Sequence, residues 1–358
     1  MTELDGLARS LLATARPGEG VEVVVGRAVE TSVRVHDGRV EALTVAESHG
    51  VGGRVVVDGR EGVAHAGSCD ADVVGGLVAE ARDNAGFAEP DDRVGLAEPD
   101  GVAPVAVDRW DLSVETVSVD DKIALAVALE ERVRAADPRV RGVRASVYGD
   151  TRSEVAIVST EGIAGSSAAT MASLSTSVMI DVVDGSTRTG AAVDAARGPL
   201  GLDVDTVAVL GVTRGLRLLG AGPPTTGRPV VVREPRFTST VLGLVAGMLS
   251  GERVVKGRTP FAERVGDAVA ASALTLVDDP TDAASLGSSS IDGEGLACRP
   301  VPLISAGTLQ GFLHDRRSAR GCGTRSTGSA LRSVRGAPTP GHRALHVDPG
   351  PGDHGEVS

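Results

Sequence analysis

Aromatic residues and lysines are scarce in this sequence, and both scarcities limit what the protein is expected to bind. Aromatics make up 2% of the 358 residues, so the cores must be built from Val, Ala and Leu, and stacking on nucleic-acid bases is not expected. Lys122 and Lys256 stand beside 34 arginines, and the formal net charge is −12. Because phosphate backbones bind to basic surfaces, this balance argues against a nucleic-acid partner.

Cysteines and long apolar runs are scarce as well. Cys69, Cys298 and Cys322 are odd in number and widely spaced, which indicates neither a disulfide framework nor a Cys-x-x-Cys metal site. A reducing cytoplasm fits this pattern. The N-terminus lacks the basic start and apolar core of a signal peptide, and no run approaches the ~18 apolar residues of a membrane span. We therefore expect a cytoplasmic protein that has no membrane partner.

Two common catalytic motifs are also missing. The sequence contains neither Gly-x-Ser-x-Gly nor Gly-x-x-x-x-Gly-Lys-Ser/Thr, which argues against a nucleophile-elbow hydrolase and a phosphate-binding loop. The glycine-rich run Gly50–Gly53 is interpreted as a turn between strands.

The first 220 residues combine strand and helix patterns. Alternating apolar residues flank Asp37-Gly38 and Asp58-Gly59, and Asp-Gly between such runs predicts β-hairpins. The spacing of apolar residues predicts helices at 4–15, after Asp70, after the N-cap Ser118 and at 205–219. Residues 87–116 are predicted to form an acidic connection over the surface. The fold class is therefore α+β, an antiparallel sheet with packed helices, for a domain over residues 1–220.

The segment Gly220–Gly227 is the best candidate boundary, because Gly and Pro interrupt both kinds of pattern there. Beyond it, Pro229–Val232 is predicted to be a short buried strand and Phe237–Leu249 an apolar helix. Short strands separated by Gly, Pro and Ser follow, which is typical of a β-rich, barrel-like domain. We place this second domain at 221–347 and a polar tail at 348–358.

Acids and arginines cluster within this second domain. Asp292 and Glu294 alternate with glycines, which places two carboxylates at one turn; the turn is either a site or simply solvated. Between Arg299 and His346 there are eight arginines and one acid, Asp315. This excess either attracts a carboxylate or acidic peptide, or solvates the surface and pairs with acidic partners.

Three histidines of the second domain are candidate bases or ligands. His314 lies beside Asp315 and could act as a base, yet no nucleophile is identifiable near it. His342 and His346 have a spacing that suits zinc only on a helix, and the neighbouring prolines and glycine argue against one. We expect no metal site in this chain.

Several motifs, taken in order, resemble the TldD/PmbA family of peptidases. They are Pro224-Thr225-Thr226-Gly227-Arg228-Pro229-Val230-Val231, Leu274-Thr275-Leu276-Val277-Asp278-Asp279-Pro280, Asp292-Gly293-Glu294-Gly295, Gly307-Thr308-Leu309 with Phe312-Leu313, and Ser326-Thr327-Gly328-Ser329-Ala330. The resemblance covers nearly the whole chain. It implies an α+β N-terminal domain, a β-rich C-terminal domain and a two-subunit peptidase that acts on unstructured peptides.

In that family one subunit type carries His-Glu-x-x-x-His on a helix, where two histidines bind zinc and the glutamate activates water. The corresponding helix here should follow Pro229–Val232, where the sequence reads FTSTVLGLVAGMLSGE. It contains no histidine, so the resemblance carries over no catalytic residue and no metal ligand. The chain is similar to the PmbA (TldE) type, whose zinc is expected in a TldD-type partner. Family members normally continue beyond the point where this sequence stops, so we expect a shortened C-terminal domain.

The resemblance therefore implies a non-catalytic, peptide-binding subunit that pairs with a zinc-bearing homologue in proteolysis. Candidate contacts to substrate or to the partner subunit are Asp292, Glu294, Arg316 and Thr327. The alternative is a peptide-binding or scaffolding protein without a peptidase partner. A third possibility is a self-sufficient hydrolase that uses His314 as its base.

Overall fold

The computed structural model describes residues 2–181 and 185–349. Its helices are α1 Thr2–Leu12, α2 Ala71–Val74, α3 Leu77–Phe87, α4 Ser113–Thr116, α5 Val119–Ala136, α6 Val204–Leu216, α7 Pro235–Met248, α8 Gly251–Val255 and α9 Arg316–Gly321. Its strands are β1 Gly20–His36, β2 Arg39–Val57, β3 Arg60–Ala66, β4 Val140–Ser159, β5 Ala164–Asp181, β6 Thr187–Ala196, β7 Leu276–Asp278, β8 Val301–Ser305, β9 Thr308–Leu309, β10 Ala330–Leu331, β11 Thr339–Pro340 and β12 Leu345–Val347.

The N-terminal region is built on a six-stranded antiparallel sheet in the order β3-β2-β1-β4-β5-β6. Both predicted Asp-Gly hairpins are present. Asp37 and Gly38 have φ angles of 51° and 68°, and Asp58 and Gly59 have φ angles of 50° and 70°. Two successive positive φ angles match the right-handed twist of the flanking strands, so these two-residue turns set the register of β1, β2 and β3.

Helices α1, α3, α5 and α6 pack on one face of this sheet. On β1, Val21 and Val23 are buried with α1 and α3, whereas Val33 is buried with α5 and α6. Because side chains alternate along a strand, Glu22 and Val24 point to the opposite face. The predicted α+β class, an antiparallel sheet with packed helices, is thus confirmed.

The C-terminal region covers the part of the opposite face around residues 50–52 of β2, whereas residues 39–49 of the same strand are exposed. A Cβ at Gly52 would lie 2.2 Å from the carbonyl oxygen of Val334, and one at Gly50 would lie 2.6 Å from the Val334 side chain. The interpretation of Gly50–Gly53 as a turn was therefore wrong, since the run lies inside β2. Because Gly50 and Gly52 have no side chains, the segment that contains Val334 can lie close against the sheet.

The C-terminal region contains a four-stranded sheet in the order β12-β7-β8-β9 and the two-stranded pair β10-β11. Leu276, Leu303, Leu309 and Leu313 form its apolar core together with Leu249, at the end of α7. The predicted β-rich character is confirmed. Within residues 2–181 and 185–349 the strand order is linear, without barrel closure.

Several local predictions were wrong. Pro229–Val232 is not a buried strand: it has no regular structure, and Val230 is 96% exposed, since no described strand pairs with it. The sequence also indicates two separate strands, at 143–148 and 154–159, and the structure has one continuous strand there, β4. The helix predicted from Asp70 divides at Gly75-Gly76 into α2 and α3, and both pieces bury apolar residues, Val74 in α2 and Leu77 and Val78 in α3.

The acidic connection between α3 and α4 does not simply run over the surface. Val94, Leu96 and Ala97 are buried, because this segment lies between the sheet and the C-terminal region. Gly95 accepts a hydrogen bond from Arg54 of β2 through its carbonyl oxygen, and the carbonyl oxygen of Val94 accepts one from Arg320 of α9. The connection therefore links the two regions.

The described helices include none that is both long and apolar enough to cross a membrane. The sequence also indicates a turn at Asp184-Gly185, which lies partly outside the described residues. Most of the tail predicted at 348–358 lies outside them as well. The domain limits at 220 and 347 and the cytoplasmic location stay predictions.

Candidate functional site

Asp292 and Glu294 occupy a buried turn beneath the sheet rather than a solvated one. Asp292 is 4% exposed and Glu294 is 1% exposed. One carboxylate oxygen of Asp292 accepts hydrogen bonds from the backbone N–H groups of Glu294 and Leu296, and the other accepts one from Ala330 N–H, at 2.9 to 3.0 Å. Asp292 therefore holds its own turn and the start of β10 together.

Burial dominates the electrostatics of this turn. It raises the pKa of Asp292 to about 6, although the three backbone donors act in the opposite direction. It also raises the pKa of Glu294 well above the usual range, helped by the nearby carboxyls of Asp292 and Asp315. Glu294 accepts a hydrogen bond from the backbone N–H of Arg316 at 2.9 Å, which ties the turn to the first residue of α9.

Thr327 and Arg316 lie in the same neighbourhood. The Thr327 hydroxyl is 2.8 Å from the backbone nitrogen of His314 and 2.9 Å from the Ser329 hydroxyl. The structure thus places Glu294, Arg316 and Thr327 close to the start of α9, whereas Asp292 is joined to them through the turn that it shares with Glu294. Their suggested role in binding a substrate or a subunit stays a prediction.

A charged cleft of about 400 Å³ lies beside α9. Its walls carry Arg316, which is 3.1 Å from Glu98, and Arg299, which pairs with Asp100. Both acids belong to the segment Ala97-Glu98-Pro99-Asp100 of the acidic connection. Among the described residues, four of the eight arginines counted in the second domain pair with acids of the first, namely Arg299, Arg316, Arg317 and Arg332.

A buried charge network connects the sheet to β10. Glu22 of β1 is fully buried and accepts from Arg54 at 3.4 Å and from Arg332. Arg54 also lies 2.7 Å from Glu61. Opposite charges within such distances offset part of the desolvation penalty of each buried group.

Next to this network lies a cavity of about 180 Å³, which we call the arginine cavity. Three guanidinium groups border it, those of Arg109, Arg332 and Arg343, together with the turn of Asp292. Serine hydroxyls and aliphatic side chains complete the wall, namely Ser153, Ser167, Ser289, Val24, Val155 and Ile157. The cavity lies between the open face of the sheet and the C-terminal region.

His314 is buried, and burial lowers its pKa to about 4. Its Nδ1 is 3.2 Å from the Ser318 hydroxyl. His346 Nε2 lies 3.2 Å from Asp282, and His346 lies on β12 rather than on a helix. Across the described ranges, no group of three or more His, Cys, Asp or Glu side chains is arranged to hold a metal ion. All three cysteines are free thiols.

Sequence reasoning missed two features. Lys122 is buried in α5, 2.6 Å from Asp150, which also accepts from the Tyr148 hydroxyl at 2.5 Å. The second is the arginine cavity: Arg343 was counted only within an excess of arginines, and Arg109 was not singled out. The position of Arg109 at the end of the acidic connection was the available signal, but its partners are far away in sequence, Ser289 among them.

Comparison with known proteins identifies the family. The PmbA/TldA metallopeptidase domain 1 model matches residues 21–85, the central domain model matches 113–217 and the C-terminal domain model matches 226–357. A solved structure of TldE from Thermococcus kodakarensis superposes with a TM-score of 0.84 over 99% of this chain and 79% of that one, at 22% identity. That likeness shows the fold.

Two curated relatives agree with these matches. The metalloprotease TldD homolog of Haemophilus influenzae is 30% identical over 229 residues, which cover 61% of this chain and 47% of that protein. A metalloprotease of Methanothermobacter thermautotrophicus is 28% identical over 138 residues, 38% of this chain and 30% of that protein. The matches span less than half the length of these relatives. Since the three family models together match most of the sequence, the chain belongs to the TldD/PmbA family of metallopeptidase-like proteins.

Proposed function

We propose that this chain is a non-catalytic, peptide-binding subunit of a TldD/PmbA-type metallopeptidase complex. The composition of α7 carries the proposal. This helix, PRFTSTVLGLVAGM, offers apolar side chains, hydroxyls and one guanidinium. Zinc in proteins is bound by Cys, His, Asp and Glu. In this proposal, a TldD-type homologue supplies the zinc and the water-activating glutamate.

Exposed apolar side chains on α7 and in the segment before it support contact with a partner subunit. We call this set the valine–helix surface: Val230, Val231, Val232, Phe237 and Leu244. Val230 is 96% exposed and Leu244 is 67% exposed. Contiguous apolar side chains exposed to water mark interaction sites more often than chance allows.

The charged cleft supports the peptide-binding half of the proposal. Its wall combines paired and unpaired charges with an apolar floor that includes Leu296 and Ala97. Among the described residues, the guanidinium of Arg325 in this wall forms no salt bridge. Such a surface suits an extended peptide, whose backbone needs polar partners and whose side chains need apolar contacts.

The proposal is tested by metal analysis and peptidase assays. The purified chain should contain well under one zinc per molecule and should not hydrolyse an unstructured fluorogenic peptide. Mixed with a homologue that carries His-Glu-x-x-x-His, it should form a complex on size exclusion and raise that homologue's activity. One tightly bound zinc per chain would overturn the non-catalytic assignment. Peptide binding without any complex would favour the scaffolding alternative.

Paired substitutions locate the contact. Val231→Asp puts a charge into the valine–helix surface and should weaken the complex at least tenfold. Val73→Asp is the matched control, because Val73 is 58% exposed on α2, on a different part of the molecule. If both variants bind the homologue as tightly as the wild type, the valine–helix surface is not the contact.

A further inference from the structure

The arginine cavity contains more buried hydrogen-bond donors than its own acceptors satisfy. The side chain of Arg332 is 3% exposed, and its Nη1 donates to Glu22. Its Nε and Nη2 are buried and have no hydrogen-bond partner among residues 2–181 and 185–349, and within the same ranges this is also true of Nε in Arg109 and in Arg343. A buried donor without a partner costs about 1 to 3 kcal/mol, and more when it is charged. Four such atoms on the three arginines that line one cavity point to a missing acceptor.

Charge balance points in the same direction. Neither Arg109 nor Arg343 forms a salt bridge within residues 2–181 and 185–349: the Arg109 guanidinium donates to Ser167 and Ser289, and that of Arg343 donates to the Ala330 carbonyl. Both carboxylate oxygens of Asp292 are already occupied by backbone donors. Glu22 is shared between Arg54 and Arg332. Arg109 and Arg343 therefore bring positive charge to the cavity without a salt-bridge partner among the described residues, although Asp292 lies in the same wall and Oε2 of Glu22 is itself unpartnered there.

Burial and the neighbouring cations act on Arg109 itself. Desolvation, with Arg197 and Arg343 nearby, lowers the pKa of its guanidinium. A bound anion would relieve both effects, because it would replace lost solvation and offset the repulsion between the cations.

The rest of the wall is aliphatic, and this defines the kind of anion. Val24, Val155, Ile157 and Ile291 also line the cavity, so an anion with an apolar part matches this wall better than a purely polar one. The volume of about 180 Å³ suits one small amino-acid side chain with its acid group. The planar guanidinium fork matches a carboxylate through two parallel hydrogen bonds.

We propose that the arginine cavity is a binding site for a carboxylate that carries a short aliphatic group. Two sources provide this chemistry, the C-terminal residue of a peptide and a free branched acid. Only the first rests on the proposed function, in which this chain binds peptide; the site itself does not depend on it.

Calorimetric titration of the purified full-length chain in a carboxylate-free buffer tests the site. Isovalerate should bind, whereas isovaleramide, its neutral counterpart, should not. Inorganic phosphate, which lacks the apolar part, should bind at least tenfold more weakly than isovalerate. Equal binding of the amide, or tighter binding of phosphate, would overturn the proposal.

Two peptides distinguish the two possible sources of the carboxylate. A pentapeptide that ends in valine with a free carboxylate should bind and displace isovalerate, and the same peptide with a C-terminal amide should not. If isovalerate binds and neither peptide does, the site is upheld as one for free acids, and peptide capture through this cavity is ruled out. That outcome is distinct from failure of the proposed function, which is judged on the complex with the zinc-bearing homologue.

Substitutions of two cavity arginines test whether isovalerate binds in the arginine cavity. Arg109→Gln and Arg343→Gln keep polar side chains and leave the buried pair of Glu22 and Arg332 intact, and each should weaken isovalerate binding at least tenfold. Arg335→Gln is the matched control, since Arg335 is exposed and outside the cavity wall. Far-UV circular dichroism and an unchanged thermal midpoint establish that each variant is folded. Folded Arg109→Gln and Arg343→Gln variants that bind like the wild type would place the site elsewhere.

Discussion

His314 shows how one buried side chain makes stability depend on pH. Burial lowers its pKa to about 4, compared with the ordinary value of ~6.5. The folded state therefore binds fewer protons than the unfolded state between these values. The stability that the neutral, buried His314 contributes is therefore fully present above pH ~6.5. As the pH falls towards 4, protonation of the unfolded state lowers the free energy of unfolding by about 3 kcal/mol.

The buried carboxyl of Asp292 acts in the opposite direction, because its raised pKa of about 6 makes the folded state bind a proton more readily. The two contributions are separated by comparing variants. Urea unfolding of His314→Gln at pH 7 and at pH 4.5 should show a smaller loss of stability on acidification than the wild type, by about 2 kcal/mol or more. His65→Gln, at an exposed position of β3, should change this loss little. An identical loss in wild type and His314→Gln would show that His314 is not the titrating group.

At the scale of secondary-structure elements, the glycines of β2 decide how closely the C-terminal region approaches the sheet. A Cβ at Gly52 meets the backbone oxygen of Val334 at 2.2 Å, and that oxygen moves only with its whole segment. Gly52→Ala should therefore destabilise the protein by roughly 1 to 3 kcal/mol. Gly53→Ala is the control on the same strand, because its Cβ would meet Leu77 at 3.4 Å, an ordinary contact.

Urea denaturation of both variants measures the difference. Since the segment of Val334 follows Arg332, Gly52→Ala should also weaken isovalerate binding in the arginine cavity, and Gly53→Ala should not. Equal stability of the two variants would show that the segment moves away from β2 at little cost.

The elements that sequence reasoning predicted correctly are those whose determinants are local. The Asp-Gly hairpins lie within a few residues of their own turns, and α5 begins at its predicted cap, where the Ser118 side chain accepts from the backbone N–H of Asp121. The alternation of β1 predicted a sheet face, but it gave no information about what covers that face. The long-range partners lie beyond such reasoning: Gly52 and Val334 meet across most of the chain, and Glu22 and Arg332 are separated by 310 positions.

The same limit explains why the sequence did not predict which residues of the candidate site are buried. Asp292-Gly293-Glu294-Gly295 has the composition of an exposed turn, and only the three-dimensional contacts show that its acids are buried. Val230 to Val232 has the composition of a buried strand, and only the pairing of the other strands shows that it is exposed. Burial depends on which segments pack together, and local patterns do not contain that information.

Across the whole molecule, arginines of the C-terminal region pair with carboxylates of the N-terminal region. The pairs are Arg299 with Asp100, Arg316 with Glu98, Arg317 with Glu61 and Asp91, and Arg332 with Glu22. Arg317 is about half exposed, whereas Arg332 and Glu22 are excluded from water. Exposed pairs contribute about 0 to 1 kcal/mol each, so the buried pair should dominate the coupling between the regions.

Removing the charge of Glu22 tests this expectation. Glu22→Gln leaves Arg54 and Arg332 buried without their shared carboxylate, and breaking a buried pair in this way costs about 3 to 5 kcal/mol. Glu41→Gln is the control in the same sheet, since Glu41 pairs with Arg34 at the surface and should cost at most about 1 kcal/mol. Urea unfolding followed by circular dichroism measures both losses.

Combining Glu22→Gln with Arg332→Met should cost less than the two single substitutions added together, because the second change removes a cation that the first left unpaired. Additive losses would mean that Glu22 and Arg332 stabilise the protein independently, and that the two regions are held together by apolar contacts instead.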